Sequence, residues 1–268
     1  MSEQTLLHLW DDGFIYITPA IQSGLTARPA LTLLASISGH PFTLEARDGT
    51  RAHCAAAVVA PDVPRRLDAD GCGLISINLD PASSTYRMFS AWMGGRGIVP
   101  LDARVFGVLR EGFEPALHGV LCDAQLRSLS HCMVDAVTGS TALSKQMDPR
   151  IERLLQLIRT NPSLLQREDL SAMACLSRGR LSHLFREQVG LSVKRYLLWS
   201  KLRRSSVQLA DGQPLTHIAL ASGFSDAAHM SRTFRDSFGL QPSFLVRQVK
   251  VVTDGHTPDA WRSLVGAA

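Results

Sequence analysis

Two stretches near the C-terminal end carry side chains suited to hydrogen bonding with base edges and phosphates, and they carry them at matching spacing. Leu181-Ser182-His183-Leu184-Phe185-Arg186 returns as Met230-Ser231-Arg232-Thr233-Phe234-Arg235. Leu176-Ser177 precedes the first copy and Phe224-Ser225 the second, and each runs on to a Gly-Leu pair, Gly190-Leu191 and Gly239-Leu240. Similarity of this kind marks one structural unit used twice. With residues placed about 100° apart on a helix, Leu181, Leu184 and Phe185 fall on one side, opposite Gly179, Ser182, His183 and Arg186. In the second copy Met230, Thr233 and Phe234 oppose Ala228, Ser231, Arg232 and Arg235. Short, polar or basic outer residues suit a helix whose backbone comes close to base edges in a major groove.

Arg232 is the best single candidate for base reading, because a guanidinium pairs bidentately with guanine. His183 holds the equivalent place and can donate or accept, while Gly179, Ser182, Ala228 and Ser231 complete the two reading faces. Arg178, Arg180, Arg186 and Arg235 are placed for phosphate, where contacts set register and add salt-dependent affinity. Lys201 and Arg204, in the stretch between the copies, are candidates for the intervening backbone. Any one of these arginines could simply solvate a helix; two matched helices with the same inner and outer split argue otherwise.

Other chemistry finds little support. The cysteines Cys54, Cys72, Cys122, Cys132 and Cys175 are odd in number and form no Cys-x-x-Cys pair, which fits a reducing compartment and speaks against a disulfide framework or zinc ribbon. His40 and His53 are isolated, so no metal site is expected, and no cofactor. Cys54 reads as a buried, inert thiol. The competing class is a cupin-type enzyme, or a DNA-repair protein with an appended DNA-binding domain. It needs a metal cluster or a nucleophilic cysteine in a Pro-Cys-His setting, and the cysteines sit among Ala, Gly and Leu instead. No apolar run approaches the roughly 20 residues that span a bilayer, and no signal peptide is evident in Met1 to Trp10, so a cytoplasmic protein without membrane contact is expected.

The elements that must position the two copies lie in a basic C-terminal half. Residues 150–250 hold 16 Lys/Arg against 7 Asp/Glu, whereas residues 1–149 hold 11 against 15. Only the former is expected to meet phosphate. Asp148-Pro149 starts a helix, and helices are read over 149–160, 167–174, 178–188, 193–210, 215–221, 226–237 and 243–249. Ser177, Ser192 and Ser225 serve as N-caps, and Gly190, Gly212 and Gly239 end helices. The stretch 193–210 is a stiff connector about 27 Å long at ~1.5 Å per residue, close to the ~34 Å between successive major-groove faces. Its run Lys194-Arg195 and Lys201-Leu202-Arg203-Arg204 is a candidate for touching the duplex.

Before residue 81 the chain reads as β structure: 14–18, 31–38, 42–46, 54–60 and 74–79, separated by turn residues. That pattern suggests a small antiparallel barrel or sandwich. The stretches 84–94, 102–118 and 122–138 read as helices. Either of the last two is a candidate dimer helix, in competition with packing on its own barrel. Arg28, Trp10, Tyr16 and Trp92 are residue types that could line a pocket. The expected organisation is α+β: a sensor or dimerisation domain over 1–140, a linker over 141–148, a DNA-binding domain over 149–249 and a tail over 250–268.

Residues 149 to 249 resemble the DNA-binding domain of the AraC/XylS family of bacterial transcriptional regulators. The likeness is carried by Ala219-Leu220-Ala221-Ser222-Gly223-Phe224-Ser225, His229 to Arg235 and Phe238-Gly239-Leu240-Gln241-Pro242-Ser243. It implies two helix-turn-helix motifs on a linking helix, with 178–188 and 226–237 as recognition helices. It also implies a cupin-like N-terminal β-barrel with following helices. The expected function is a sequence-specific regulator, usually an activator, whose partners are promoter DNA, RNA polymerase, a small-molecule effector and a second copy of the chain. His217 and Cys175 depart from the family, which usually has an acidic residue and Gly there.

Overall fold

The computed structural model describes residues 5–10, 12–139, 147–160, 170–209, 213–239, 241–243 and 249–253, the last as backbone. The chain is α+β. Strands β1 (Thr5–Trp10), β2 (Gly13–Thr18), β4 (Leu31–Ser36), β7 (Ala56–Val59), β9 (Leu74–Leu79), β10 (Ile98–Leu101) and β11 (Val249–Thr253) form one sheet in the order β10-β7-β4-β9-β2-β1-β11. Strands β3 (Gln22–Thr26), β5 (Phe42–Ala46), β6 (Arg51–Cys54) and β8 (Arg65–Asp68) form a second, in the order β3-β8-β5-β6. Pairing is antiparallel throughout except between β1 and β11. The predicted antiparallel domain is thus two sheets, with no ladder between them among the described residues.

Period-two alternation divides the large sheet between two cores. Leu31, Leu33, Ala35, Ile75, Ile77, Ile15 and Ile17 point to one face, which is covered by α1 (Ser84–Met93), α2 (Phe113–Leu117) and α3 (Asp123–Thr138). Leu7, Leu9, Phe14, Tyr16 and Leu34 point to the other, where they meet Phe42, Leu44 and Leu67 of the small sheet and the C-terminal helices. Both faces of the central strands are therefore buried, and those strands read as unbroken apolar runs.

Some expected elements take a different form. The apolar run 54–60 is two strands. β6 belongs to the small sheet and β7 to the large one, and the chain crosses between them at Ala55, whose carbonyl accepts from Ser36. Cys54 therefore closes a strand instead of opening one, and is half-buried. The stretch 102–118 is not one α-helix: a 3-10 segment, Ala103–Gly112, breaks at Gly107 (φ 46°, ψ −125°) before α2. Leu126, Leu129, Met133 and Val137 of α3 all bury against the large sheet, so that stripe packs within its own chain.

The helical half follows as α4 (Pro149–Thr160), α5 (Leu170–Met173), α6 (Arg178–Val189), α7 (Val193–Leu209), α8 (Leu215–Ala221) and α9 (Ala227–Phe238). At the far end, β11 replaces both the final residue of the helix expected over 243–249 and the start of the expected tail. It lies parallel to β1 in the register Thr5↔Val249 to Leu9↔Thr253. Helix stop Gly212, most of the linker over 141–148, residues 161–169 of the helical half and residues 254–268 of the tail fall outside the described residues.

Candidate nucleic-acid interface

The repeated unit is repeated down to its backbone hydrogen bonds. In the first copy the Leu176 amide donates to the Ser171 carbonyl and Cys175 to Ala172. In the second the Phe224 amide donates to Ala219 and Gly223 to Leu220. Both are the paired bonds of a Schellman turn, which needs a left-handed residue at its corner. Gly223 supplies it at φ 86°, and Cys175 adopts it at φ 52° despite its Cβ. Leu176 and Phe224 then tuck under the helix that follows.

The recognition helices start differently. Ser177 caps α6, its hydroxyl accepting from the Arg180 amide at 3.3 Å. The expected cap Ser225 is displaced by Asp226, whose carboxylate accepts from the His229 amide at 2.6 Å. The cause is an extra residue: five positions separate Leu176 from Leu181, and six separate Phe224 from Met230. Ser225 supports the cap, donating to Asp226 at 2.9 Å. The His229 amide and the Ser225 hydroxyl hold the Asp226 carboxyl below its usual range.

Leu181, Leu184 and Phe185 are buried, as are Met230, Thr233 and Phe234. Gly179, Ser182, His183, Ala228 and Arg232 are exposed and Ser231 is half-exposed. Arg178, Arg180, Arg186 and Arg235 are exposed as well. His183 lies 3.9 Å from Glu187 one turn on. α6 and α9 therefore each present the residues predicted to read bases together, flanked by guanidinium groups, on a face nothing else covers among the described residues.

The linking helix α7 behaves otherwise. Lys201 lies 5.9 Å from the Phe224 ring centroid, and burial lowers its pKa. Arg204 donates to the Arg159 carbonyl at 3.4 Å and is lowered by burial too. Arg195 pairs with Asp62, and Arg203 donates to Asp80 at 2.6 Å and to the Trp10 carbonyl at 2.5 Å. Arg195 and Arg203, expected near the duplex, instead face the N-terminal domain. Asp80 is 2% exposed and also accepts from Trp199 Nε1 at 2.9 Å and from Arg159 at 3.5 Å. Burial pushes that carboxyl up, but Arg203, Arg159, Trp199 and the Ala82 amide together bring it below its usual value. Sequence reasoning missed this hub, because nothing in the spacing of residues 80, 159, 199 and 203 announces it.

Between the β domain, α7 and α9 lies an apolar cavity partly open to solvent. Leu7, Leu9, Phe14 and Tyr16 form its β wall, Phe234 and Phe238 its α9 wall, and Arg28 and Arg203 its charges. Two of the four proposed pocket residues, Arg28 and Tyr16, are therefore there. Trp10 is buried on the opposite face of the sheet, and Trp92 packs on Phe89 with Arg96 over its ring. Burial draws the Arg28 guanidinium down to about 10, still charged at neutral pH.

A helix-turn-helix domain family matches residues 170–248, the same span that holds both units. Residues 170–248 form a helix-turn-helix domain of the AraC/XylS type. This AraC/XylS-type domain is similar to the corresponding parts of the Escherichia coli arabinose operon regulatory protein and the Pseudomonas putida XylDLEGF operon transcriptional activator. Identity to the former is 30% over 105 residues, 38% of this chain and 36% of that protein. For the latter it is 32% over 108 residues, 38% and 34%. The chain spans about a third of the length of the curated relatives it matches. In fold the likeness is wider. Apo ToxT of Vibrio cholerae superposes with a TM-score of 0.58 at 10% identity, over 88% of this chain and 96% of that one. ToxT bound to an unsaturated fatty acid gives 0.55 at 11%, over 87% and 94%. The AraC/XylS-type domain thus sits on its β domain in an arrangement already seen in a solved structure.

Proposed function

We propose that this chain is a sequence-specific DNA-binding regulator of transcription that reads two successive major grooves with α6 and α9. The observation that carries this is the matched pair of helices, each with a buried apolar side and an exposed polar and basic one. Gly179, Ser182, His183, Ala228, Ser231 and Arg232 face base edges. Arg178, Arg180, Arg186 and Arg235 hold phosphates, while Lys201 and Arg204, half-buried within the domain, are the weakest of the proposed backbone contacts. The organisation proposed is a sensor or dimerisation domain before residue 140 and the DNA-binding domain from 149. Activation through RNA polymerase is the proposed output, and a homodimer must use a surface other than the buried stripe of α3. Hydroxyl-radical footprinting on a selected promoter fragment tests the reading. Two protected windows on one face of the duplex, about 10 base pairs apart, are expected; a single window contradicts it.

The cavity is the proposed effector site. An apolar wall with Arg28 and Arg203 at its edge suits a ligand with one anionic head and an apolar body, and a structural neighbour was solved with an unsaturated fatty acid. Straight-chain carboxylates should raise the melting temperature of the wild type and not of Arg203→Met, while the matching alcohols do neither. Equal response to acid and alcohol would contradict the charged half of the proposal.

A further inference from the structure

The second recognition helix ends on the N-terminal domain. The Ala27 amide donates to the Asp236 carbonyl at 3.2 Å. Arg28 Nε donates to the Ser237 carbonyl, also at 3.2 Å and 209 residues away in sequence. The same guanidinium lies 5.6 Å from the Phe238 ring centroid. At the next residue the fit is close: a Cβ on Gly239 would come within 3.2 Å of Ser23 and Thr26. A helix end leaves four carbonyls without intrahelical partners and carries partial negative charge. At α9 two donors for those carbonyls, and a cation beside them, come from residues 27 and 28.

Arg28 is itself held. Its Nη1 donates to Asn78 Oδ1 at 3.1 Å and to Ser76 Oγ at 3.4 Å. Asn78 is fixed in turn by its own bonds to Ser76 and by the Thr32 hydroxyl at 3.1 Å. The side chain is 6% exposed, and among the described residues no carboxylate pairs with it. A buried charge without a counter-ion is costly, and here the helix end takes the counter-ion's place. The first recognition helix is treated differently. Both C-cap amides donate within their helices, Gly190 to Arg186 and Gly239 to Arg235, and Gly190 also packs on the N-terminal domain, at the Tyr86 hydroxyl. The difference is that Ala27 and Arg28 give their donors to the end of α9.

We propose that Arg28, with the Ala27 amide, is a positioning residue for DNA reading: it fixes the C-terminal end of α9 and so sets how the second motif, and not the first, presents its reading face. Twelve residues make α9 about 18 Å long. A tilt of about 10° at its pinned end moves Ala228 by about 3 Å, a full hydrogen-bond length. The inference rests on the DNA-reading function above and does not require the effector.

The test uses the full chain with Arg28→Met, Arg28→Lys and, as a control, Asp62→Asn. The control breaks the Arg195 ion pair in the same interface without touching α9. Hydrogen exchange on the free protein reads the cap. In Arg28→Met, segments 24–30 and 232–239 should exchange about tenfold faster, with segment 178–189 unchanged. Arg28→Lys keeps the charge without the planar fork, so it should fall between, and it decides the matter where the Met variant does not fold. Footprinting then reads the consequence. The half-site identified by its sensitivity to Arg232→Ala should weaken about tenfold in Arg28→Met, the other half should hold, and Asp62→Asn should change neither. Unchanged exchange in 232–239, or equal weakening of both halves, would overturn the proposal. Faster exchange in a protein whose wild type leaves no discrete footprint would instead overturn the DNA-reading function and leave only the cap.

Discussion

Arg232 and Cys175 show how differently two residues of one repeat can be judged from sequence. Arg232 was legible, because its place on the outer face follows from the apolar spacing of Met230, Thr233 and Phe234. Its replacement by Ala should cost about 1–3 kcal/mol at one base position and relax preference there, measured by affinity for single-base variants of the site. Equal loss at every position would assign Arg232 to phosphate. Cys175 stands where Gly is usual, and the structure gives the physical reason that the departure matters. Its φ of 52° is one that a Cβ disfavours. Cys175→Gly should therefore stabilise the chain by about 0.5–1 kcal/mol in urea unfolding, the left-handed strain relieved exceeding the entropy that Gly adds to the unfolded chain. Ser225 marks the opposite case. The Phe-Ser pair that matches Leu176-Ser177 makes Ser225 the expected N-cap, and the single inserted residue moves the cap to Asp226.

At the scale of elements, helices with strong periodicity were legible and strands governed by distant partners were not. α4 and α8 lie where apolar spacing and turn residues place them. β1, β3 and β8 have no comparable local signal, since their pairing partners lie elsewhere in the chain. β11 is the clearest example, because its partner β1 is at the opposite end of the sequence. The linking helix α7 carries the same lesson for function. Its basic residues suggested a duplex contact, yet Arg195 and Arg203 are engaged by Asp62 and Asp80. The recognition helices keep theirs exposed. Arg186→Ala and Arg235→Ala should each reduce the slope of log affinity against log salt by about 0.9. Arg195→Ala should leave it unchanged. A similar loss for all three would return α7 to the phosphate-binding surface.

On the scale of the whole molecule, the β domain and the helical domain share one apolar core, and Asp80 is the polar point at which three helical residues converge. Removing that carboxylate strands Arg203 in the interface, so Asp80→Ala should cost about 3–5 kcal/mol, with Trp199 fluorescence reporting the exposure. Its pKa is depressed in the fold. Its contribution is therefore complete above the unfolded value, near 3.9, and is lost as pH falls below that toward the folded value. The urea midpoint of the wild type should drop over that window more steeply than that of Asp80→Asn. None of this convergence could be read from local sequence, because Asp80 lies 79, 119 and 123 residues from its three partners. The central proposal is that the exposed faces of α6 and α9 read DNA sequence. The most direct measurement is selection of binding sites from genomic fragments by wild type and Arg232→Ala in parallel, at one stated salt concentration. A short set of enriched promoter sites, lost or relaxed in the variant, is expected. Uniform binding by both proteins would mean that the basic domain holds DNA without reading it.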